Sequence, residues 1–269
     1  MPPAMPLLVD NPRPLLFAHR GLNQRFLENT IEAFAAARHA GVPGIELDVH
    51  LTLDRALVVF HDDDTGRIDA QSGGLSSTAA PAGLMLETSR LEELRSTLAG
   101  RRMPLLDEIF EEFGTAFYYD IELKSKSAAD TGLAAAVADC IRRHGLSSRC
   151  IVSSFNPFIL RHFRKAEPAV PVGIIWSRSE ELYWFLRHGE GALIGGADFL
   201  KPEWKLMEHL PLWMMFFPRL RTLPLIPWTV NNPSVALHLA ARGAEGIISD
   251  AADMLLSSLM QARDTAPLT

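Results

Sequence analysis

Two runs far apart in the chain, Glu46-Leu47-Asp48-Val49 and Asp120-Ile121-Glu122-Leu123-Lys124, alternate acidic with apolar side chains. At a strand period of two, the carboxylates of each run share one face. Carboxylates gathered at the ends of two strands repel one another unless a cation sits between them. Glu46, Asp48 and Glu122 offer only oxygen donors, which suits Mg²⁺ or Ca²⁺ and disfavours zinc. His19, in Ala18-His19-Arg20-Gly21, and His61, in Phe60-His61-Asp62, each end an apolar run and precede a charged residue. Imidazole is the natural proton carrier near neutral pH, so this pair offers a general base and a general acid. Arg20 can hold a phosphate in a fork of two hydrogen bonds, and Lys124 can act as a point charge. Metal, acid, base and positive charge together suit phosphate chemistry.

Each of these residues also has a blander fate, as a helix cap, a surface ion pair or a solvated cation. Three acids closing apolar strands are less easily explained that way, because an unpaired charge there would be half-buried. Asp120 shares the strand face of Glu122 but lies deeper, and is expected inside the fold as a hydrogen-bonded structural residue. His39, His50, His144, His162, His188, His209 and His238 lack a converging motif and are expected on the surface or in the core.

The elements that would position these residues alternate regularly. Strand-like runs cover 15–19, 45–51, 117–123, 150–155, 172–176, 198–200, 225–230 and 246–249. A further run, 56–61, follows a turn at Thr52-Leu53-Asp54-Arg55 and reads as a β-hairpin extension. Helical patterns start at Glu28-Asn29-Thr30 and stop at Gly41, run from Asp130 to His144, and run from Pro233 to Ala241 behind an Asn232 cap. Eight β-then-α units favour an α/β TIM (β/α)8 barrel, with active residues at the C-terminal strand ends, where His19, Glu46, Asp48, Glu122, Lys124, Ser154, Trp228 and Asp250 lie. The expected organisation is one domain over 1–269, with an insertion at about 63–102 carrying a single helical piece near Leu91–Leu94. Gly21-Leu22-Asn23-Gln24 lacks the glycines of a phosphate loop, which weighs against a doubly wound sheet.

The bulk numbers agree with a packed catalytic domain. Hydrophobic residues make up 48% of the 269, and a net charge of -6 argues against a nucleic-acid surface. Cys140 and Cys150 read as small core residues. No signal peptide is evident, and Leu212-Trp213-Met214-Met215-Phe216-Phe217 is too short to span a bilayer. The expectation is a cytoplasmic protein with no stable membrane insertion and a small-molecule substrate.

The order of motifs resembles the glycerophosphodiester phosphodiesterase family. The matching pieces are Ala18-His19-Arg20-Gly21, Glu28-Asn29-Thr30, Glu46-Leu47-Asp48-Val49, Phe60-His61-Asp62, Met103-Pro104-Leu105-Leu106-Asp107-Glu108, Ile121-Glu122-Leu123-Lys124, Ser153-Ser154-Phe155, Trp228-Thr229-Val230-Asn231 and Gly246-Ile247-Ile248-Ser249-Asp250. The resemblance implies a TIM-type barrel that hydrolyses glycerophosphodiesters to glycerol 3-phosphate and an alcohol with a divalent cation, Mg²⁺ or Ca²⁺. It implies Glu46, Asp48 and Glu122 as metal ligands, His19 and His61 as the acid/base pair, and Arg20 and Lys124 as phosphate contacts. Glu28 matches a further acidic position, and Trp228 an aromatic at the pocket wall. One departure follows His61-Asp62, where Asp63-Asp64-Thr65-Gly66-Arg67-Ile68 replaces a leucine and an Arg-Thr-Thr-like stretch. Another is Lys201-Pro202, where Lys201 would add a cation facing the phosphate. Rival readings are a lysophospholipase D greeting an acyl chain through Trp213–Phe217 with Trp184 and Phe185, and a barrel that only binds a phosphorylated ligand. A third, a sugar-processing barrel, leaves Lys124 and both histidines unexplained. For the Trp213–Phe217 cluster, a barrel helix burying its apolar face is the favoured reading over acyl-chain contact.

Overall fold

The computed structural model describes residues 14–72, 83–178, 186–209, 211–217 and 219–264. Along the chain run β1 (Leu15–His19), α1 (Ile31–His39), β2 (Gly44–Leu51), β3 (Leu57–Val59), α2 (Gly66–Ser72), α3 (Leu91–Arg95) and α4 (Leu106–Phe113). Then follow β4 (Tyr118–Leu123), α5 (Leu133–Arg143), β5 (Cys150–Ser154), α6 (Pro157–Ala166), β6 (Val172–Trp176), α7 (Gly191–Gly195), β7 (Phe199–Pro202), α8 (Pro233–Ala241), β8 (Gly246–Ser249) and α9 (Ala252–Asp264). The sheet order is β7-β6-β5-β4-β2-β1-β8, all parallel, with β3 antiparallel to β2 as the expected hairpin.

The barrel closes through 224–230, which contains the run 225–230 expected as the seventh barrel strand. Ile226 N donates to Leu200 O at 2.9 Å and Trp228 N to Pro202 O at 3.1 Å on the β7 side. Toward β8, Val230 N donates to Ile248 O at 2.9 Å and Ile248 N to Pro227 O at 3.1 Å. Pro224 and Pro227 have no N–H to give, so this segment bridges its neighbours without a regular ladder.

Strand alternation sorts the side chains. Leu16, Ala18, Ile45, Leu47, Val49, Ile121, Leu123 and Val152 belong to the main buried cluster, which also holds Phe34, Phe110, Val137, Leu160 and Leu255 of the surrounding helices. The alternate positions Leu15, Phe17, Ile151, Phe199 and Ile248, with Ile226, form a second cluster filling the barrel. Each such fully buried side chain stabilises the fold by about 1.5–3 kcal/mol. A Cβ on Gly173 would come within 2.1 Å of the Phe199 ring, so only glycine lets that ring fill the interior. The helices begin as their caps dictate: Thr30 accepts from Ala33 N, and Asn232 from Ser234 and Val235 N ahead of Pro233.

Three expectations are corrected. The 63–102 stretch holds α2 as well as α3; Gly66–Ser72 is too short and too polar for a periodicity argument to detect. Ile68, Leu86, Leu94 and Ala99 from this stretch, with Met103 just after it, pack on Val58 and Phe60 of the hairpin in a third buried cluster. The run Leu212–Phe216 is a 3-10 turn and not a barrel helix, and it buries only part of its apolar surface, with Met214 in the main cluster and Trp213 packed against it. Prolines 211 and 218 bracket it, and Leu212 and Phe216 stand 77% and 82% exposed. Trp184 and Phe185 lie outside the described residues. Finally, β7 runs through Pro202, so Lys201 is a strand residue and not the first residue of a loop. Cys140 and Cys150 are buried free thiols, as expected. Among the described residues, no helix is long and apolar enough to cross a membrane.

Candidate active site

Register brings the acids together. Glu46 pairs with Asp120 and Asp48 with Glu122 across β2 and β4, while His19 of β1 pairs with Glu46. Partners in a parallel ladder face the same side, so these side chains point into one end of the barrel. The carboxylate oxygens of Glu46, Asp48 and Glu122 lie within 4.8 Å of one another, all three residues being buried.

Lys201 Nζ sits deeper, 2.9 Å from Asp120 Oδ2, 3.0 Å from Ser153 Oγ and 3.5 Å from Glu46 Oε1. At 2% exposure it neutralises acids beneath the cluster, which corrects its expected place facing a phosphate. Burial would lower the Lys201 ammonium, but Asp120 and Glu46 outweigh it and carry it above its ordinary value. Asp120 is buried at 0% and accepts from Ser153 Oγ at 2.8 Å, a structural residue as expected. Glu46 remains under-compensated: burial pushes its carboxyl upward despite Lys201 and His19.

Asp48 is the opposite case. Burial alone would raise it, yet Lys124, Arg20 and a hydrogen bond from Asn29 hold it well below the usual carboxylate range. Lys124 Nζ is 3.5 Å from Asp48 Oδ1 and donates to Glu122 Oε1 at 3.0 Å. Arg20 Nε lies 3.2 Å from Asp48 Oδ2, and Asn29 Nδ2 donates to that oxygen at 2.8 Å. Arg20 and Asn29 both hold φ near +55°, a left-handed backbone that costs an arginine of order 1 kcal/mol or more. The turn persists because Asn29 N donates to Arg20 O at 3.0 Å and Arg20 N to Glu46 O at 2.9 Å.

Both histidines are oriented by a carboxylate. His19 Nδ1–H donates to Asp250 Oδ1 at 2.7 Å, and Asp250 is held in turn by Asn23 Nδ2 at 2.7 Å and Asn231 Nδ2 at 2.8 Å. His61 Nδ1–H donates to Asp62 Oδ1 at 2.7 Å. A proton fixed on Nδ1 leaves the Nε2 lone pair available for chemistry. His19 Nε2 is 3.9 Å from Glu46 Oε2. Phe60 N donates to Asp48 O at 3.0 Å, which sets the next residue, His61, beside the end of β2 that carries Asp48. The two imidazoles therefore flank the carboxylate cluster. Asp62 and Asp250 resist burial in the same way: burial would raise them, but their histidine and amide or arginine partners hold both far below the usual range.

Trp228 packs edge-on against Phe155 at 5.6 Å, and its Nε1 donates to Lys201 O at 3.0 Å. Glu28 pairs with Arg20 Nη1 at 3.3 Å. Sequence reasoning missed three contributors. Asn29 reads in the sequence as a helix start and part of the Glu28-Asn29-Thr30 motif, with no role of its own. Arg67 lay inside a departure from the family pattern. His50 is buried behind the hairpin, its Nε2 3.4 Å from His61 O, with burial pushing its imidazole down to about 4. Only the inward strand position of His50, two residues after Asp48, could have signalled it.

Residues 19–254 match the model of the glycerophosphoryl diester phosphodiesterase family. The chain belongs to that family. It is accordingly an enzyme, a phosphoric diester hydrolase. A glycerophosphodiester phosphodiesterase of Caldanaerobacter subterraneus is 30% identical over 253 residues, spanning 90% of this chain and 96% of that one. The crystal structure of a putative glycerophosphoryl diester phosphodiesterase from Silicibacter pomeroyi superposes with a TM-score of 0.76 at 25% identity, covering 96% and 97% of the two chains. An Oleispira antarctica phosphodiesterase, solved with the product sn-glycerol-3-phosphate, shares the fold at 21% identity and a TM-score of 0.71, over 92% of this chain and 97% of that one.

Proposed function

We propose that this enzyme hydrolyses glycerophosphodiesters to glycerol 3-phosphate and an alcohol as a single catalytic domain, with His19 and His61 exchanging the protons. The observation that carries the reading is the placement of two carboxylate-oriented imidazoles beside three buried, converging carboxylates. The donor set fits a divalent cation: oxygen ligands only, in a buried cluster whose Glu46 has Lys201 as its one lysine partner among the described residues, at 3.5 Å. Glu46, Asp48 and Glu122 would hold Mg²⁺ or Ca²⁺. When bound, the cation supplies charge stabilisation to the phosphoryl oxygens.

The chain's own groups carry the rest. Arg20 and Lys124, each anchored by Asp48, present positive charge to the phosphodiester and attract it as charge builds on the non-bridging oxygens. One imidazole takes the proton of the attacking oxygen at Nε2, and the other returns a proton from Nε2 to the departing alkoxide, so the pair ends with one proton moved across the site. Asp62 and Asp250 hold the two rings in the needed tautomer and stabilise each as it becomes imidazolium. Trp228, braced on Phe155, lines the pocket wall.

His19→Ala and His61→Ala are each expected to lower kcat on glycerophosphocholine by roughly 10²–10⁴-fold. EDTA should abolish turnover, and Mg²⁺ or Ca²⁺ should restore it. A histidine variant that retains wild-type turnover removes that residue from the scheme. A second reading, release of the head group from a lysophospholipid, is favoured by the exposed side chains of Leu212 and Phe216. Comparing lysophosphatidylcholine with glycerophosphocholine as substrates separates the two.

A further inference from the structure

The segment that departs from the family pattern after His61-Asp62 delivers a guanidinium to the site. Arg67 Nε donates to Asp62 Oδ2 at 2.5 Å and its Nη2 to Asp62 Oδ1 at 3.2 Å, while Nη2 also donates to Glu28 Oε1 at 2.5 Å. Those two carboxylates each hold one group of the proposed site: Asp62 orients the His61 ring, and Glu28 pairs with Arg20 Nη1. The result is an unbroken chain of contacts, Arg20–Glu28–Arg67–Asp62–His61, with Arg67 as its middle rung.

The base of the rung is rigid. Thr65 is fully buried and accepts from Leu84 N at 3.1 Å, and its carbonyl accepts from Asp69 N at 2.9 Å. Asp64 Oδ1 accepts from Gly66 N at 2.8 Å, and Asp69 Oδ1 accepts from Ala99 N at 2.7 Å. Ile68, at 2% exposure, anchors α2 in the cluster shared with Phe60 and Leu94. The Arg67 side chain, 35% exposed, is therefore aimed by a fixed backbone and gripped at both edges of its guanidinium. A planar fork can bind two carboxylates at once; an ammonium on a flexible stem cannot hold both in the same geometry.

We propose that Arg67 is a positioning residue of the hydrolytic site, setting the orientation of His61 through Asp62 and of Arg20 through Glu28. The inference rests on the acid–base reading above. It assigns to α2, the element of the 63–102 stretch nearest the chemistry, the task of locking an imidazole and a phosphate contact into one frame. The two arms predict separable effects. The Asp62 arm governs proton transfer and so kcat; the Glu28 arm governs the phosphate contact and so KM.

The test uses the full-length, metal-loaded enzyme with glycerophosphocholine. Arg67→Gln is expected to lower kcat by roughly 10–100-fold, the usual size for losing a group that orients a reacting side chain. Arg67→Lys should recover less than the full activity, staying about tenfold below wild type. Asp62→Asn should reproduce the kcat loss with little change in KM, and Glu28→Gln should raise KM with a smaller effect on kcat. The Arg67→Gln/Asp62→Asn double variant should be no slower than the slower single one, because both break the same arm. A clamp serving stability alone would lower the melting temperature of the Gln variant, leave kcat within threefold, and be rescued fully by lysine. Should Arg67→Gln unfold at the assay temperature, Arg67→Lys decides: a kcat within threefold of wild type overturns the inference. Effects of Arg67→Gln and Asp62→Asn that multiply independently also overturn it. His61→Ala, run in parallel, separates the levels: an inactive His61→Ala beside a fully active Arg67→Gln refutes this inference alone, whereas an active His61→Ala refutes the underlying acid–base reading.

Discussion

Lys201→Met makes the most demanding test of how the charge beneath the site is balanced. Lys201 is buried among Asp120, Glu46 and Ser153 Oγ, with its nearest carboxylate oxygen at 2.9 Å. At an effective dielectric of about 20, a pair at that distance attracts by about 6 kcal/mol before desolvation is counted. Most of that attraction is offset by the cost of burying the ions, so the pair itself adds little net stability. Removing one partner is different, because the acids stay buried without compensation; the expected loss is about 3–5 kcal/mol. For a chain of 269 residues this corresponds to a fall in melting temperature of roughly 6–10 °C. The assay is urea unfolding and thermal melting of the metal-free protein. Adding Asp120→Asn to Lys201→Met should restore at least about 1.5 kcal/mol, since the amide no longer leaves a charge stranded. A single variant melting within 2 °C of wild type, or a double variant as unstable as the sum of the singles, would refute the reasoning.

Asp250→Asn preserves the shape around His19 but removes the carboxylate that fixes its tautomer. It is expected to lower kcat by roughly 10²–10⁴-fold with small changes in stability, measured by steady-state kinetics alongside thermal melting. Stability should fall on acidification in two stages. His50 is neutral and buried with its pKa lowered to about 4, so the unfolded chain binds a proton first as pH falls below about 6.5; the loss reaches roughly 3 kcal/mol by pH 4. His50→Gln should flatten that limb in urea titrations taken across the range, and an unchanged slope would exclude His50 as its source. Asp48, Asp62 and Asp250 have depressed folded-state values, so their stabilisation is present above about pH 4 and lost as pH falls below it. Unfolding midpoints measured between pH 4 and 2 should keep dropping even in His50→Gln.

What was legible in the chain, and what was not, follows from the range of the interactions. Acids at alternate positions of β2 and β4 were readable because strand geometry alone puts Glu46, Asp48, Asp120 and Glu122 on one face. The histidines were readable because each closes an apolar run. Their orienting partners were not equally so. Asp62 adjoins His61, but Asp250 lies 231 residues from His19 and meets it only because β8 closes against β1. Lys201 was misjudged by strand length: a run ended at Leu200 leaves the lysine in a loop, whereas β7 continues through Pro202 and turns it inward. The Leu212–Phe216 run is apolar throughout and reads as a helix with a buried face, yet between two prolines it forms a short 3-10 turn that buries Met214 and leaves Phe216 in solvent.

The same contrast bears on how two histidines in unrelated surroundings would serve the one reaction proposed for them. His19 stands on a barrel strand, and its carboxylate comes from the loop after β8, pinned by Asn23 and Asn231. His61 stands at the end of a hairpin, and its carboxylate is the next residue, pinned by an arginine from α2. The first ring is held by amides and the closed barrel, the second by a cation on a peripheral helix. A rigid dyad and a more exposed one, facing a common anionic cluster, are physically suited to different steps: side-chain exposure is 15% at His19 and 33% at His61. The more open ring has the easier exchange of protons with solvent and departing alcohol, and the enclosed ring the more constant geometry. Under the proposed scheme, substitutions in the 63–102 stretch are therefore expected to act on the His61 side of the reaction, while closure of the barrel itself constrains the His19 side.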